Sequence, residues 1–141
     1  MKTTFRALRE FNIASNNLIR REPKVMDTKF GYAIKRVSKG FEKYFNEYNL
    51  ELESLGIDHA LVDKDTKALL LSEKGSPRPY QYDKKGLTDL IKAEYKLSSE
   101  WNDKEVEVEP FIAKEVPTLT DDEKEAFAGL VYLENEKTKG K

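Results

Sequence analysis

Phe30, Ile34, Val37, Phe41, Tyr44, Tyr48, Leu52 and Leu55 follow one another in steps of three or four, and Ala33 and Phe45 widen the same stripe. Such steps gather side chains on one helical face. An apolar face this long and aromatic has to be covered, either by the rest of the chain or by a partner. Asp27 is placed to accept from the free amides of a first helical turn, and Gly56 to stop the helix. A helix from Asp27 to Leu55 would be about 43 Å long at 1.5 Å per residue.

The segment before it, Thr4 to Arg20, sets Phe5, Leu8, Phe11, Ala14 and Leu18 at helical spacing. Pro23 interrupts that pattern, because proline lacks a backbone donor and disfavours helical geometry in Glu22 before it. Two helices with a short connector and one apolar face each form an antiparallel hairpin. The four-residue step from Tyr48 to Leu52 departs from a strict heptad, and Gly31 and Gly40 lie inside the helix. Both features favour a globular helix pair over a rod.

After Gly56 the pattern changes. Ala60-Leu61-Val62 and Ala68-Leu69-Leu70-Leu71 flank the polar stretch Asp63 to Lys67, which reads as a β-hairpin. Ser72 to Pro79 reads as a loop, and Tyr80-Gln81-Tyr82 as a third short strand. Asp83 caps a helix through Leu87, Leu90, Ile91, Ala93, Tyr95 and Leu97 that ends near Trp101. Glu105-Val106-Glu107-Val108-Glu109 alternates as a half-buried strand does, and is expected to complete the small sheet. Thr120 with Glu123 forms a capping box for a last helix reaching Leu133. The expected fold is α+β: an N-terminal antiparallel helical hairpin with a long second helix, a small antiparallel sheet, and third and C-terminal helices. It is read as one domain over residues 1–134, with a frayed tail at 135–141.

This succession resembles a family of small tailed-phage (siphophage and prophage) proteins of unknown function. The likeness rests on Pro23 leading into the long helix, the aspartate-containing hairpin at Asp63 to Lys67, and the Tyr80-Gln81-Tyr82 strand before an Asp-capped helix. It continues through the Glu-Val-Glu-Val-Glu strand to the ending Pro117, Leu119, Thr120 and Glu123. The loop from Ser72 to Pro79 is longer than the family pattern. The resemblance implies a phage or prophage gene and a nonenzymatic accessory protein, and it carries over no functional residues.

The chain contains no cysteine, which excludes disulfides, thiolate metal sites and a cysteine nucleophile, and fits a reducing compartment. No segment approaches the roughly 20 apolar residues that cross a bilayer, and Met1 to Arg9 lacks the apolar core of a signal peptide. A cytoplasmic location is expected, in the host cell for a phage product, with no membrane partner. Charged residues make up 36% of the chain and mean hydropathy is −0.73, yet the apolar residues are patterned, which argues for a folded domain.

Net charge is −1, but residues 1–48 carry 11 Lys or Arg against 5 Asp or Glu, while the remainder carries 14 against 21. Such asymmetry marks a basic surface for nucleic acid, complementary ends in an assembly, or two halves that pair inside one fold. Lys29, Arg36 and Lys43 lie seven residues apart on one side of the helix and are the candidate nucleic-acid face. Against that face stand the overall acidity, with a pI near 6.0, and the lack of a nucleic-acid module.

Catalytic motifs fare worse. Asp63-Lys64-Asp65-Thr66 approaches an aspartate phosphotransferase motif, but threonine comes one position early and Lys67 takes its place. As a calcium loop the stretch offers Ala68 where glycine is needed and Lys74 where glutamate is needed. His59, the one histidine, has no identifiable nucleophile and reads as structural. Ser72 to Arg78 lacks the phosphate-loop pattern. No catalytic, cofactor or metal residue is assigned, and the chain is not expected to be an enzyme. The expected partner is another protein or a second copy, met through Phe41, Tyr44, Phe45 and Tyr48. The alternatives are nucleic-acid binding by the basic hairpin and anti-defence capture of a small nucleotide-like ligand by the loop Ser72 to Tyr82.

Overall fold

Thr4 ends a short strand and begins a helix: its hydroxyl accepts from the Ala7 amide at 3.3 Å, capping α1 (Phe5–Arg21). The computed structural model describes residues 1–133, so the tail expected at 135–141 lies outside the described residues. The elements run β1 (Lys2–Thr4), α1, a 3-10 turn (Pro23–Asp27), α2 (Lys29–Lys39), α3 (Glu42–His59), α4 (Lys84–Asn102), β2 (Glu105–Glu107) and α5 (Asp121–Phe127). The fold is α+β, and the described residues form two compact units, one of Met1–Tyr44 with residues 102–133, the other of Phe45–Trp101.

In the first unit the apolar face of α1 supplies Phe5, Leu8, Phe11, Ala14 and Leu18, all buried at the expected helical spacing. Phe11 meets Phe41 edge-on at 5.1 Å and Phe127 at 5.2 Å, and Phe127 meets Phe30 at 5.6 Å. These T-shaped contacts bind α1, α2 and α5 through one aromatic cluster, the favoured geometry for rings whose faces and edges carry opposite partial charge. Arg21 closes the same region with a fork to Glu123, both N–O distances being 2.7 Å. Glu123 also accepts from the Thr120 amide at 2.9 Å, while its own amide reaches the Thr120 hydroxyl, completing the expected capping box.

The predicted long helix divides. Gly40 and Phe41 donate to the Val37 and Ser38 carbonyls, both at 3.0 Å, so the ladder tightens to i→i−3 and α2 ends at Lys39 before α3 begins at Glu42. The N-cap is Thr28 rather than Asp27, because the Thr28 hydroxyl accepts from the Gly31 amide at 3.2 Å and Asp27 lies in the 3-10 turn. Gly31 is required by packing: a Cβ there would sit 2.2 Å from the Val25 carbonyl oxygen. Gly56 does not stop the helix, which continues to His59.

Glu105–Glu107 is a strand with Val106 buried between exposed glutamates, as the alternation predicts. Its partner is the N-terminal strand β1, antiparallel with Thr3 opposite Val106, and not the segments around residues 60–82. The last helix stops at Phe127, short of the expected Leu133, because Gly129 adopts φ +81 and turns the chain back toward Tyr132.

In the second unit Asp83 caps α4 as expected, its carboxylate accepting from the Gly86 amide at 2.6 Å. The segments preceding α4 pair sparsely, through antiparallel bridges Val62 to Leu69 and Leu71 to Tyr80. At the centre three residues bond in a cycle. The Leu61 amide donates to Gln81, Gln81 to Leu70, and Leu70 to Leu61, at 2.9, 2.9 and 3.0 Å. Asp63 sets the hairpin turn by accepting from the Asp65 and Thr66 amides, both at 2.9 Å, which holds its carboxyl below the usual range. Buried apolar residues are few here: Leu90 and Trp101, both on α4.

Candidate interaction site

Phe41 is 2% exposed and belongs to the aromatic core of the first unit, which corrects its assignment to an interaction surface. Tyr44 is half-buried, its hydroxyl accepting from the Glu107 amide and donating to the Glu107 carbonyl, each at 3.0 Å. Phe45 and Tyr48 are half-buried in the second unit, where Tyr48 meets Trp101 edge-on at 5.5 Å. The Trp101 indole donates to Glu51, so α3 and α4 are pinned together by an aromatic pair and a charged hydrogen bond. The aromatic middle of the stripe is therefore largely occupied by the chain itself.

The three residues of the basic face each meet a side chain of their own unit. Lys29 approaches Glu115 at 3.7 Å, the Arg36 guanidinium lies 4.8 Å from the Phe111 ring centre, and Lys43 lies 4.9 Å from that of Tyr44. Arg6 to Asp103, Lys2 to Glu105 and Arg21 to Glu123 repeat the pattern, early cation against late carboxylate. Four early cations thus meet late carboxylates inside one unit, while Arg36 and Lys43 lie over aromatic rings. The sequence signal was the asymmetry itself; which carboxylate meets which cation was not readable from it.

The remaining motifs are structural. His59 sits in the last turn of α3 with Nδ1 2.8 Å from the Leu55 carbonyl oxygen. Arg78, which the loop Ser72 to Tyr82 offers as an anion ligand, forks onto Glu94 at 2.9 and 3.0 Å, so an incoming phosphate would compete with a carboxylate already in place. Tyr82 donates to the Gly56 carbonyl at 3.1 Å, and burial pushes its phenol above the usual range. Among the described residues no group of three or more His, Asp or Glu is arranged to hold a metal ion, and no helix is long and apolar enough to cross a membrane.

A feature that the stripe did not announce lies between α3 and α4. Leu50 and Leu55 on one helix and Ala93 and Leu97 on the other line an open groove of about 470 Å³. Leu50 is 63% exposed. The spacing 93, 96, 97, 100 places one continuous face of α4 along the groove, with Lys96 and Glu100 at its rim. The sequence does not display it, because Leu50 lies off the main stripe and α4 carries apolar residues on more than one side. Comparison of the chain with protein-family models, curated proteins and solved structures finds no match.

Proposed function

We propose that this chain is a nonenzymatic accessory protein of the small tailed-phage kind, working in the host-cell cytoplasm through protein–protein contact or self-assembly. The observation that carries the reading is the open apolar groove between α3 and α4. A pair of helices leaves each member's outer apolar residues to water unless a further helix covers them, and an amphipathic helix laid in such a groove is a recurrent mode of protein recognition. Nucleic-acid binding through Lys29, Arg36 and Lys43 is less favoured, since the Glu115 carboxylate lies 3.7 Å from Lys29 and would compete with phosphate there. Nucleotide capture at Ser72 to Tyr82 is less favoured because Glu94 already engages Arg78.

Site-specific photo-crosslinking tests the reading. With Ser54, which lines the groove, replaced by a photoreactive phenylalanine, irradiation in cells expressing the chain is expected to give a protein adduct mapped to α3 or α4. Absence of any protein adduct from the groove, with adducts from an equally exposed control position unaffected, overturns it.

A further inference from the structure

Lys96 and Glu100 stand one helical turn apart on the groove face of α4, and neither has a charged partner within 4 Å among the described residues. Between them at the same face lies Leu97, half-buried, with Ala93 one turn earlier. A small apolar centre flanked by one cation and one anion is self-complementary under a two-fold rotation. An antiparallel copy of α4, with the axis passing midway between positions 96 and 100, sets each lysine opposite the other copy's glutamate. It also brings Leu97 against its own symmetry mate, since in an isologous contact residue i meets j and j meets i.

Resting on the reading of the groove as a protein-docking site, we propose that its occupant is a second copy of this chain, the two α4 helices packing antiparallel across a two-fold axis. A foreign helix would need only a matching charge pattern of its own, whereas this groove already carries both halves of the pattern. Leu50 and Leu55 of each copy then flank the helix of the other, and removing these apolar groups from water drives the association. The charge pairs fix orientation and exclude the parallel arrangement, which would place lysine against lysine.

The test uses two single charge reversals and their mixture, followed by sedimentation equilibrium over a concentration series. The wild-type chain is expected to dimerise. Lys96→Glu alone and Glu100→Lys alone each set like charges together twice and are expected to weaken dimerisation at least tenfold. Mixed in equal amounts they restore both attractive pairs, so the heterodimer is expected to recover wild-type affinity. Circular dichroism matching the wild type confirms that each variant is folded. A wild-type chain that stays monomeric, or a mixture no tighter than either variant alone, overturns the second-copy assignment. A groove crosslink to a different protein together with a monomeric wild type would overturn it while leaving the broader docking reading intact.

Discussion

The two units of this chain are stabilised by different means. The unit built from Met1–Tyr44 and residues 102–133 encloses Phe5, Phe11, Phe30, Phe41 and Phe127, each no more than 2% exposed, with leucines and valines around them. The unit Phe45–Trp101 fully buries only Leu90 and Trp101; Tyr48, Leu55, Leu61, Leu70 and Leu97 are half-buried, and polar ties supplement them: the Asp63 turn, the Arg78 to Glu94 fork and the Tyr82 to Gly56 bond. Apolar burial contributes in proportion to area removed from water, whereas each hydrogen bond replaces one made to solvent and yields only about 0.5–1.5 kcal/mol net. The thinly packed unit is thus expected to open first, and it is the one that carries the groove.

Hydrogen exchange would expose this difference directly, with amides of α4 exchanging through openings of lower free energy than those of α1. Substitutions sharpen it. Phe127→Ala removes the ring that joins Phe11 to Phe30 and is expected to cost about 3–5 kcal/mol in urea unfolding, the range for a buried phenylalanine. Leu90→Ala should cost about 2 kcal/mol, the lower end for leucine, because a sparsely packed site can collapse around the void. If Leu90→Ala proves as damaging as Phe127→Ala, the contrast between the units fails.

The next effect depends on pH. The Arg21 fork and the Thr120 amide hold the Glu123 carboxyl below its usual range, so the folded chain binds a proton there less readily than the unfolded chain. That stabilisation is complete above the ordinary glutamate value near 4.3 and is lost as pH falls through it toward the lower folded value. Glu123→Gln is expected to lower stability by about 1.5 kcal/mol at neutral pH and to flatten the acid limb of a stability profile. The smallest effect has the opposite sign. Lys67 adopts φ +65 in the hairpin turn, a conformation costing a side-chain-bearing residue about 1 kcal/mol. Lys67→Gly is therefore expected to raise the thermal midpoint slightly, and a drop would mean that the lysine side chain stabilises the turn.

Local signals are legible in the sequence. The Thr120 and Glu123 capping box, the Asp83 cap, the Asp63 turn and the alternation around Val106 depend on residues within a few positions of one another, and each is realised. What escaped reading depends on distant partners. The strand Lys2–Thr4 is only three residues long and exists because Glu105–Glu107 lies beside it. The break at Gly40 was masked because the stripe runs through it in phase: Phe41 is buried by Phe11, thirty residues earlier. The neighbours of the basic face, Phe111 and Glu115, lie more than seventy residues further along the chain, so local spacing does not announce them.

The cycle linking Leu61, Leu70 and Gln81 limits how this chain can meet others. In an open sheet the outermost strand presents unpaired amides and carbonyls, a template on which a foreign strand can extend the ladder. Here each of the three segments donates to one neighbour and accepts from the other, so these backbone groups are already consumed. Strand addition, with its attendant risk of open-ended polymerisation, is closed off at those three residues.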